Sequence, residues 1–168
     1  MVFRMGVKRQ RRGRALTRKR KCSRRSRRCQ RGGNPSGVLE VSWPGGAATA
    51  APGPLLSRGL VVAQPVVKIL PPSGNPLLLV CSDPDAPAGI WLHWLVANPG
   101  RSPEDIVPWA PPTPPKGSGI HRYQFRLYEI SGLPPPAPKS RAAFPLESFV
   151  VEHGLKLLDE KEIRVATG

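Results

Sequence analysis

The alternation of apolar and polar residues predicts a chain built mainly of β-strands. Residues 38–43, 90–96 and 120–129 alternate with the period of two that is typical of strands. Residues 77–81 are instead a continuous apolar run, short enough for a strand that is buried on both faces. We therefore expect these four stretches to form strands.

Between these stretches the chain is rich in proline and glycine. Residues 44–54 show no periodicity and are predicted to form a loop, and residues 71–76 a turn. Residues 59–67 are rich in β-branched side chains and are predicted as a further strand. Because proline cannot donate a ladder hydrogen bond, Pro65 favours an edge or a break there.

One short helix is expected near the end of the chain. Pro145 precedes residues 146–153 and Gly154 follows them, which is the asymmetry typical of a helix start and end. Residues 161–167 are predicted to form a last strand. Strands thus greatly outnumber helices, and the pattern favours an antiparallel sheet protein.

Strict alternation also predicts which side chains share a face. In the predicted strand at 90–96, His93 is expected beside Trp91 and Leu95, opposite a set that consists of Ile90, Leu92, Trp94 and Val96. In the strand at 120–129, one face is expected to carry His121, Tyr123, Phe125 and Leu127, and the other Arg122, Gln124, Arg126 and Tyr128. The imidazole of His121 and the phenol of Tyr123 should then share a surface.

The charge of the chain lies at one end. Of the 26 Lys and Arg residues 15 fall within residues 1–32, which contain no Asp or Glu, so the remaining chain has 11 basic and 11 acidic residues. Like charges repel at this density and little apolar surface is available, which predicts disorder. Glycines and Pro35 then mark a boundary, so we expect a tail and linker at residues 1–36 and one domain at residues 37–168.

The tail allows several interpretations. Its charge could neutralise the phosphates of a nucleic acid or another anionic surface, act as a nuclear-import signal, or be a dispensable extension. For nucleic-acid contact the candidates are Arg18, Lys19, Arg20, Lys21, Arg24 and Arg25. Within the tail at residues 1–36, Phe3 is the only aromatic residue, so base stacking is not indicated.

The number of cysteines and the hydropathy of the chain indicate the cellular compartment of the protein. Cys22, Cys29 and Cys81 are too few and too irregularly spaced for a disulfide framework or a zinc site, which favours a reducing compartment. No run reaches the length of about 18 apolar residues that a membrane span needs, and the basic start is not followed by the apolar run of a signal peptide. We expect a cytoplasmic protein, with nuclear localisation as the alternative.

The histidines and carboxylates that could form a functional site lie in two segments of the chain. Asp83-Pro84-Asp85-Ala86-Pro87 is followed within ten residues by His93, and His121 comes after a loop rich in proline and glycine at residues 108–119. Proline makes such a loop stiff, which suits the rim of a binding site, although a polyproline segment could also be offered to a partner domain. The histidines and carboxylates are compatible with an acid/base pair, a metal site, or buried hydrogen-bonded core residues.

Three motifs carry a resemblance to a known family. Residues 82–87 (SDPDAP), 91–98 (WLHWLVAN) and 114–123 (PPKGSGIHRY) resemble, in this order, the signature motifs of the phosphatidylethanolamine-binding proteins, which include the Raf kinase inhibitor proteins. The similarity extends more weakly from about Val38 to Leu155 and leaves the tail uncovered.

The resemblance implies a mainly β fold with a large central antiparallel sheet, a smaller second sheet and one or two short helices. It also implies a small anion pocket that accepts phosphate, phosphorylethanolamine or phosphorylated groups. The residues carried over as its lining are Asp83, Pro87, Trp91, His93, Thr113, Pro115, His121 and Tyr123. Of these, Pro87 is implied to be a cis-proline, with Asp85 and Gly119 as structural support.

In this interpretation His93 and His121 donate ring N–H groups to phosphate oxygens and Tyr123 donates its hydroxyl, since charge-assisted donors bind oxyanions strongly. Asp83 is expected to face the ligand, where it could fix a histidine tautomer or meet an ammonium group. Two departures from the family pattern affect this pocket. Thr113 stands near a position that is usually glycine, and the chain ends at Gly168 without a C-terminal helix, so we expect a more open pocket.

The sequence thus predicts a non-enzymatic module that binds phosphate-bearing small molecules, phospholipid head groups or phosphorylated partners such as a kinase, in a regulatory or scaffolding role. We identify no Ser-His-Asp or activated-cysteine arrangement in it, and we expect no cofactor and no metal. The alternative is a structural component of a nucleoprotein assembly, ribosomal or virion, anchored by the basic tail. His153 is expected to be a helix-end residue with a satisfied or solvated ring.

Overall fold

Strands dominate the computed structural model, which describes residues 39–50, 52–70 and 74–167. In chain order these strands are β1 (Leu39–Ser42), β2 (Leu55–Leu56), β3 (Val66–Ile69), β4 (Leu77–Asp83), β5 (Trp91–Ala97), β6 (Glu104–Val107), β7 (Ile120–Glu129) and β8 (Lys156–Ala166). A 3₁₀ turn covers Arg58–Leu60, and the helix α1 covers Leu146–Glu152. The mainly β fold class is thereby confirmed.

A six-stranded sheet in the order β2-β8-β7-β4-β5-β6 forms the centre of the domain, and β1 pairs with β3 in a separate two-stranded sheet. Neighbours in the large sheet run antiparallel except for the short β2, which is parallel to β8. Its position between β7 and β5 explains the apolar run of β4, since all seven of its residues are buried. The strand predicted at residues 77–81 is confirmed and extends to Asp83.

The core lies on both faces of the large sheet. Leu79 and Cys81 pack on one face with β1 and with the aromatic rings of β7, whereas Leu78 and Val80 pack on the other face with α1. Since successive side chains of β4 point to opposite faces, this strand contributes to both clusters. The predicted face of β7 is confirmed, because Tyr123 lies in the first cluster with the other ring of that face, Phe125.

The predicted faces of β5 are wrong in part. Cys81 pairs with Trp94 whereas the next residue of β4, Ser82, pairs with Leu92, so His93 is an extra residue in a β-bulge. Trp94 therefore packs in the cluster opposite to that of Leu92, although strict alternation placed the two on one face. The bulge is what brings the consecutive residues His93 and Trp94 to the same face.

The strand predicted at residues 59–67 is mostly wrong. The chain forms the 3₁₀ turn and bends there, and β3 begins only at Val66, directly after Pro65. The apolar side chains of this segment had indicated a strand, but Leu60 and Val62 are exposed. Of the turn predicted at 71–76, residues 71–73 lie outside the described residues, as does Val38.

The last helix and strand are confirmed. Gly154 takes a φ of +57°, the left-handed conformation that glycine adopts readily, directly after the helix cap at His153. β8 begins five residues before the predicted residue 161, because its first half is only partly covered and so carries little alternation of apolar residues. It pairs along the whole of β7, which places β7 in the interior of the sheet.

Candidate functional site

A cavity of about 350 Å³ opens at one end of the strands β4, β5 and β7. All eight residues predicted to line a pocket contribute to its wall: Asp83, Pro87, Trp91, His93, Thr113, Pro115, His121 and Tyr123. The sequence interpretation had not included the other lining residues, which are Ala86, Ala88, Ala110, Pro111 and Pro114. They belong to the two loops that follow β4 and precede β7, and small or proline side chains gave no chemical signal.

Sheet order brings the polar residues of the cavity together. β4 is hydrogen-bonded to β5 on one side and to β7 on the other, so Asp83 at its end pairs with Trp91 while the preceding Ser82 also pairs with Gln124. The stiff loop at residues 108–119 lies between β6 and β7 and covers the cavity from the side. Residues that are up to 40 positions apart in the chain thus become neighbours.

Asp83 holds His121 through a short hydrogen bond. Nδ1 of His121 lies 2.7 Å from Oδ2 of Asp83, and both residues are buried, with exposed fractions of 1% and 3%. The other carboxylate oxygen accepts the backbone N–H of Asp85 at 2.8 Å. Because a carboxylate can only accept, Nδ1 of His121 carries the proton and Asp83 fixes this tautomer.

The other ring nitrogen of His121 contacts a serine. Nε2 lies 2.8 Å from Oγ of Ser118, which is also 2.7 Å from the carbonyl oxygen of Pro115. The expectation that the chain has no Ser-His-Asp arrangement is therefore wrong, because Ser118, His121 and Asp83 form one. Sequence inspection missed it since Asp83 is 38 residues from His121 and only the pairing of β4 with β7 joins them.

His93 is held by the loop at Ala110. Its Nδ1 lies 2.7 Å from the carbonyl oxygen of Ala110, so Nδ1–H is the donor in this hydrogen bond. Burial lowers the pKa of the His93 imidazole, against the opposing effect of the Ala110 carbonyl and of the Asp83 charge. A neutral His93 then has an unprotonated Nε2, which differs from the expected ring donor: this atom can donate to an anion only after taking up a proton.

Tyr123 is the remaining polar side chain of the predicted phosphate site. Its ring meets that of His93 edge to face, with centroids 5.0 Å apart. Burial, together with the negative charge of Asp83, raises the pKa of the Tyr123 phenol well above its usual range. The hydroxyl therefore keeps its proton at every physiological pH and remains a donor.

Asp85 supports the loop after β4 from outside the cavity. Its two carboxylate oxygens accept from Nε and Nη2 of Arg122 at 2.9 and 2.6 Å, and Oδ2 also accepts the backbone N–H of Arg122 at 2.9 Å. The side-chain hydrogen bonds from Arg122 lower the pKa of Asp85, although partial burial opposes them. Gly119, the other predicted support, has a φ of +85° and accepts the backbone N–H of Thr167.

Arg141 is a functional candidate that the sequence interpretation missed. Its guanidinium donates to the carbonyl oxygens of His93 at 3.0 Å and of Pro108 at 2.8 Å, and it also reaches Leu92 at 3.4 Å. It thereby ties β5 to the start of the loop that covers the cavity. No local motif marks this arginine, because its partners lie 33 to 49 residues earlier in the chain.

Cys81 does not take part in the site, since burial raises the pKa of its thiol and it lies in the core behind the cavity. Within the described ranges, no cluster of three or more His, Cys, Asp or Glu residues is arranged to hold a metal ion. No helix among the described residues has the length and hydropathy to cross a bilayer. His153 caps α1, where its ring packs against Phe149.

The candidate nucleic-acid contacts lie outside the described residues. This applies to Arg18, Lys19, Arg20, Lys21, Arg24 and Arg25, and to the whole of the predicted tail at 1–36. Their role therefore stays a prediction.

Comparison with known proteins identifies the family. The family model described as phosphatidylethanolamine-binding protein matches residues 61–159, which contain all the predicted lining residues. A UPF0098 protein of Methanothermobacter thermautotrophicus is 32% identical over 108 residues, with 49% of this chain and 70% of that protein covered. A second UPF0098 protein, from Pyrococcus horikoshii, is 25% identical over 154 residues, with 75% of this chain and 78% of that protein covered.

Solved structures share the fold. A carboxypeptidase Y inhibitor in complex with its cognate proteinase superimposes with a TM-score of 0.65 at 21% identity, covering 80% of this chain and 85% of the inhibitor. The phosphatidylethanolamine-binding protein of Plasmodium vivax gives a TM-score of 0.64 at 18% identity, covering 77% and 85% of the two chains. With the family model matching more than half of its length, the chain belongs to the phosphatidylethanolamine-binding protein family.

Proposed function

We propose that the domain at residues 37–168 binds ligands that carry a phosphate group, and that it does so without converting them. The observation that carries this proposal is the meeting of His93, His121 and Tyr123 on the wall of one cavity. Phosphate oxygens are bound best by directed donors, which Tyr123 supplies with its hydroxyl and the imidazoles supply once Nε2 takes up a proton. The cavity is large enough for a phosphorylethanolamine head group and too small for a whole lipid.

The charges around the cavity support an anion as the ligand. Asp83 brings a negative charge, but one carboxylate oxygen is occupied by His121 and the other by the backbone N–H of Asp85. Tyr123 offers a hydroxyl that keeps its proton, and Nε2 of His93 gains a positive N–H when it takes up a proton. A phosphate that binds together with a proton is therefore met by two donors, the Tyr123 hydroxyl and the protonated Nε2 of His93. The charge of Asp83 repels it less, because both carboxylate oxygens already accept hydrogen bonds.

The role that suits such a module is regulatory or scaffolding. One protein that shares this fold is an inhibitor that was solved in complex with its proteinase, so binding to a protein partner is within the range of this fold. For this chain we propose a phospholipid head group or a phosphorylated partner such as a kinase as the ligand. We propose the cytoplasm as its location, with the nucleus as the alternative that the basic residues 1–32 favour.

The test is a titration of the full chain with inorganic phosphate and with phosphorylethanolamine, followed through the histidine ring signals in NMR spectra. The chain contains three histidines, and His153 packs against Phe149 away from the cavity, which makes it an internal reference. We expect the signals of His93 and His121 to shift while that of His153 stays unchanged. His93→Ala should abolish binding and His153→Ala should preserve it, and three unresponsive histidines would refute the proposal.

A second candidate function rests on the charge of residues 1–32, which hold 15 of the 26 basic residues and no acidic one. In this alternative the domain is part of a nucleoprotein assembly and the tail binds nucleic acid, with an affinity that falls steeply with salt. Deletion of residues 1–36 separates the two candidates. Nucleic-acid binding should disappear in the deletion variant, whereas phosphate binding in the cavity should survive.

A further inference from the structure

Ser118, His121 and Asp83 form a hydrogen-bonded chain that phosphate binding does not require. Oγ of Ser118 lies 2.8 Å from Nε2 of His121, and Nδ1 of the same ring lies 2.7 Å from Oδ2 of Asp83. We propose that Ser118 is a nucleophile that accepts acyl groups from small carboxylic esters, with His121 as its general base and Asp83 as the positioning residue.

The protons of the neutral imidazole are compatible with this assignment. The carboxylate of Asp83 requires the proton on Nδ1, which leaves Nε2 of His121 with a lone pair. The hydroxyl of Ser118 has one proton and two acceptors within reach, the carbonyl oxygen of Pro115 at 2.7 Å and Nε2 of His121 at 2.8 Å. Rotation about the Cβ–Oγ bond moves this proton from one acceptor to the other, and acylation proceeds from the rotamer in which the hydroxyl donates to Nε2.

Ser118 is also accessible. It is exposed, and it stands between Gly117 and Gly119, whose φ angles of +80° and +85° form a turn that most other residues would strain. Its hydroxyl contacts two residues that line the cavity, Pro115 and His121. An ester whose acyl group enters the cavity can therefore present its carbonyl carbon to Oγ at the rim.

The walls of the cavity suggest the class of substrate. Pro87, Trp91 and Pro114 give the cavity an apolar lining, and its volume of about 350 Å³ suits a short alkyl or aryl group. The buried nucleophile Cys81 is excluded from this role, because it lies in the core and burial raises the pKa of its thiol.

The proposed step is an acyl transfer. Oγ of Ser118 forms a bond to the carbonyl carbon of the ester, and Nε2 of His121 takes the hydroxyl proton. Asp83 stabilises the resulting imidazolium. The bond from the carbonyl carbon to the alkoxy or aryloxy oxygen then breaks, and the leaving group departs as the alcohol with that proton or as a phenolate, in which case the proton passes to water. Ser118 is left as an ester of the acyl group.

This inference does not depend on the proposed phosphate site, although the two share His121. Acylation needs the free Nε2 of His121 as a base, whereas an anion would take the same atom as a donor. Phosphate in the cavity should therefore slow the acylation of Ser118.

The test treats the full chain with p-nitrophenyl acetate and follows two signals, the release of p-nitrophenolate and the position of the acetyl group by peptide mass spectrometry. Trypsin cleaves after Lys116 and Arg122, and Ser118 is the only hydroxyl residue of the peptide 117–122 between them. Ser140 is the matched reference, because it is exposed and its hydroxyl donates to the carbonyl of Ala142 instead of an imidazole.

We expect the acetyl group on peptide 117–122 to form at least about 100-fold faster than on Ser140, as general-base assistance allows. Ser118→Ala, a change at an exposed position, should remove this label, and Ser140→Ala should leave it intact. His121→Gln and Asp83→Asn should each slow the labelling by about 100-fold or more. Asp83→Asn should also change the shape of the pH profile of the rate, which a merely structural role would not do.

Two results would overturn the proposal. One is equal labelling of Ser118 and Ser140 in the unchanged chain, which would show that the imidazole does not activate Ser118. The other is a label on peptide 117–122 that persists in Ser118→Ala, which would place the acetyl group on His121. Both results use folded protein, so they stand even if the buried substitutions at 83 and 121 unfold the chain.

Discussion

His93 and Ala110 are joined by two hydrogen bonds that run in opposite directions. The backbone N–H of Ala110 donates to the carbonyl of His93 at 2.9 Å, and Nδ1–H of His93 donates to the carbonyl of Ala110 at 2.7 Å. Together they fix the loop before β7 to the bulged residue of β5. They also assign the proton of the His93 ring to Nδ1, so the protonation of Nε2 becomes part of ligand binding.

Phosphate binding should therefore be coupled to proton uptake by His93. Burial lowers the pKa of the free imidazole below its ordinary value of 6.5, and a bound anion next to Nε2 would raise it again. We expect the affinity for phosphate to rise as the pH falls from neutral toward 6. Calorimetric titration in two buffers of different ionisation enthalpy measures the number of protons taken up.

The matched variant for this measurement is His93→Gln, which removes the titrating group and keeps a polar side chain. The proton uptake that phosphate itself causes should remain in this variant, and the part due to His93 should be missing. An identical proton count in both proteins would show that His93 does not become charged on binding.

The same lowered pKa makes folding stability depend on pH. The unfolded imidazole takes up a proton near its ordinary pKa of 6.5, whereas the buried His93 resists it. The unfolded state thus binds more protons in this window, so the free energy of unfolding should fall as the pH drops below 6.5, by up to about 1.4 kcal/mol per pH unit for one group.

Urea unfolding at a series of pH values measures this dependence. His93→Gln should be less stable at neutral pH because a buried contact is altered, but its stability should change less between neutral pH and pH 5. A variant with the same slope as the unchanged chain would assign the pH dependence to other groups.

Arg141 should be important for the stability of the site strand. Arg141→Ala removes the donors to the carbonyls of His93 and Pro108. Hydrogen bonds to a charged group contribute a net amount of about 1.5–3 kcal/mol each, and solvent around the half-buried guanidinium reduces this contribution. We expect a loss of roughly 2 kcal/mol in the free energy of unfolding and weaker phosphate binding.

Lys139→Ala is the control for Arg141, since Lys139 is exposed and lies only two residues away. It should change the stability by no more than about 0.5 kcal/mol. Arg141→Lys should restore only part of the stability, because one ammonium cannot reproduce the fork of a guanidinium. Equal stability of the two alanine variants would contradict the proposed role of Arg141.

The ion pair of Asp85 with Arg122 should contribute little to stability and mainly hold the loop after β4. The two side chains are 27% and 49% exposed, so solvent screens their attraction. We expect Asp85→Asn to cost less than about 1 kcal/mol at neutral pH, and high salt to reduce this difference further.

The pH dependence of this pair has the same sign as that of His93 but lies at lower pH, because both folded-state pKa values are lowered. Arg122 holds the pKa of Asp85 below its ordinary value of 3.8, so the contribution is present above that pH and disappears as acid protonates the folded carboxyl. The stabilities of Asp85→Asn and of the unchanged chain should therefore converge in strong acid. A difference that is constant with pH would rule out a charge effect.

Much of the fold could be predicted from local patterns. The apolar run at 77–81 predicted the buried central strand, and the alternation at 120–129 predicted the face that carries His121 and Tyr123. The segment at 59–67 could not be predicted in the same way, because its apolar residues lie in a turn and not in a ladder. Local composition indicates a strand only where a partner strand is available to pair with it.

The sequence by itself determined the family motifs and the mainly β fold, because these depend on residue type and on spacing within single strands. The resemblance to the family supplied eight of the thirteen residues that line the cavity. Only the tertiary structure decided the bulge at His93, the contact of Ser118 with His121, and the reach of Arg141 to β5. Each of these depends on the register between strands or on a partner more than 30 residues away or across a turn. Periodicity cannot report such pairings, since one extra residue in a strand reverses its faces while the local pattern remains the same.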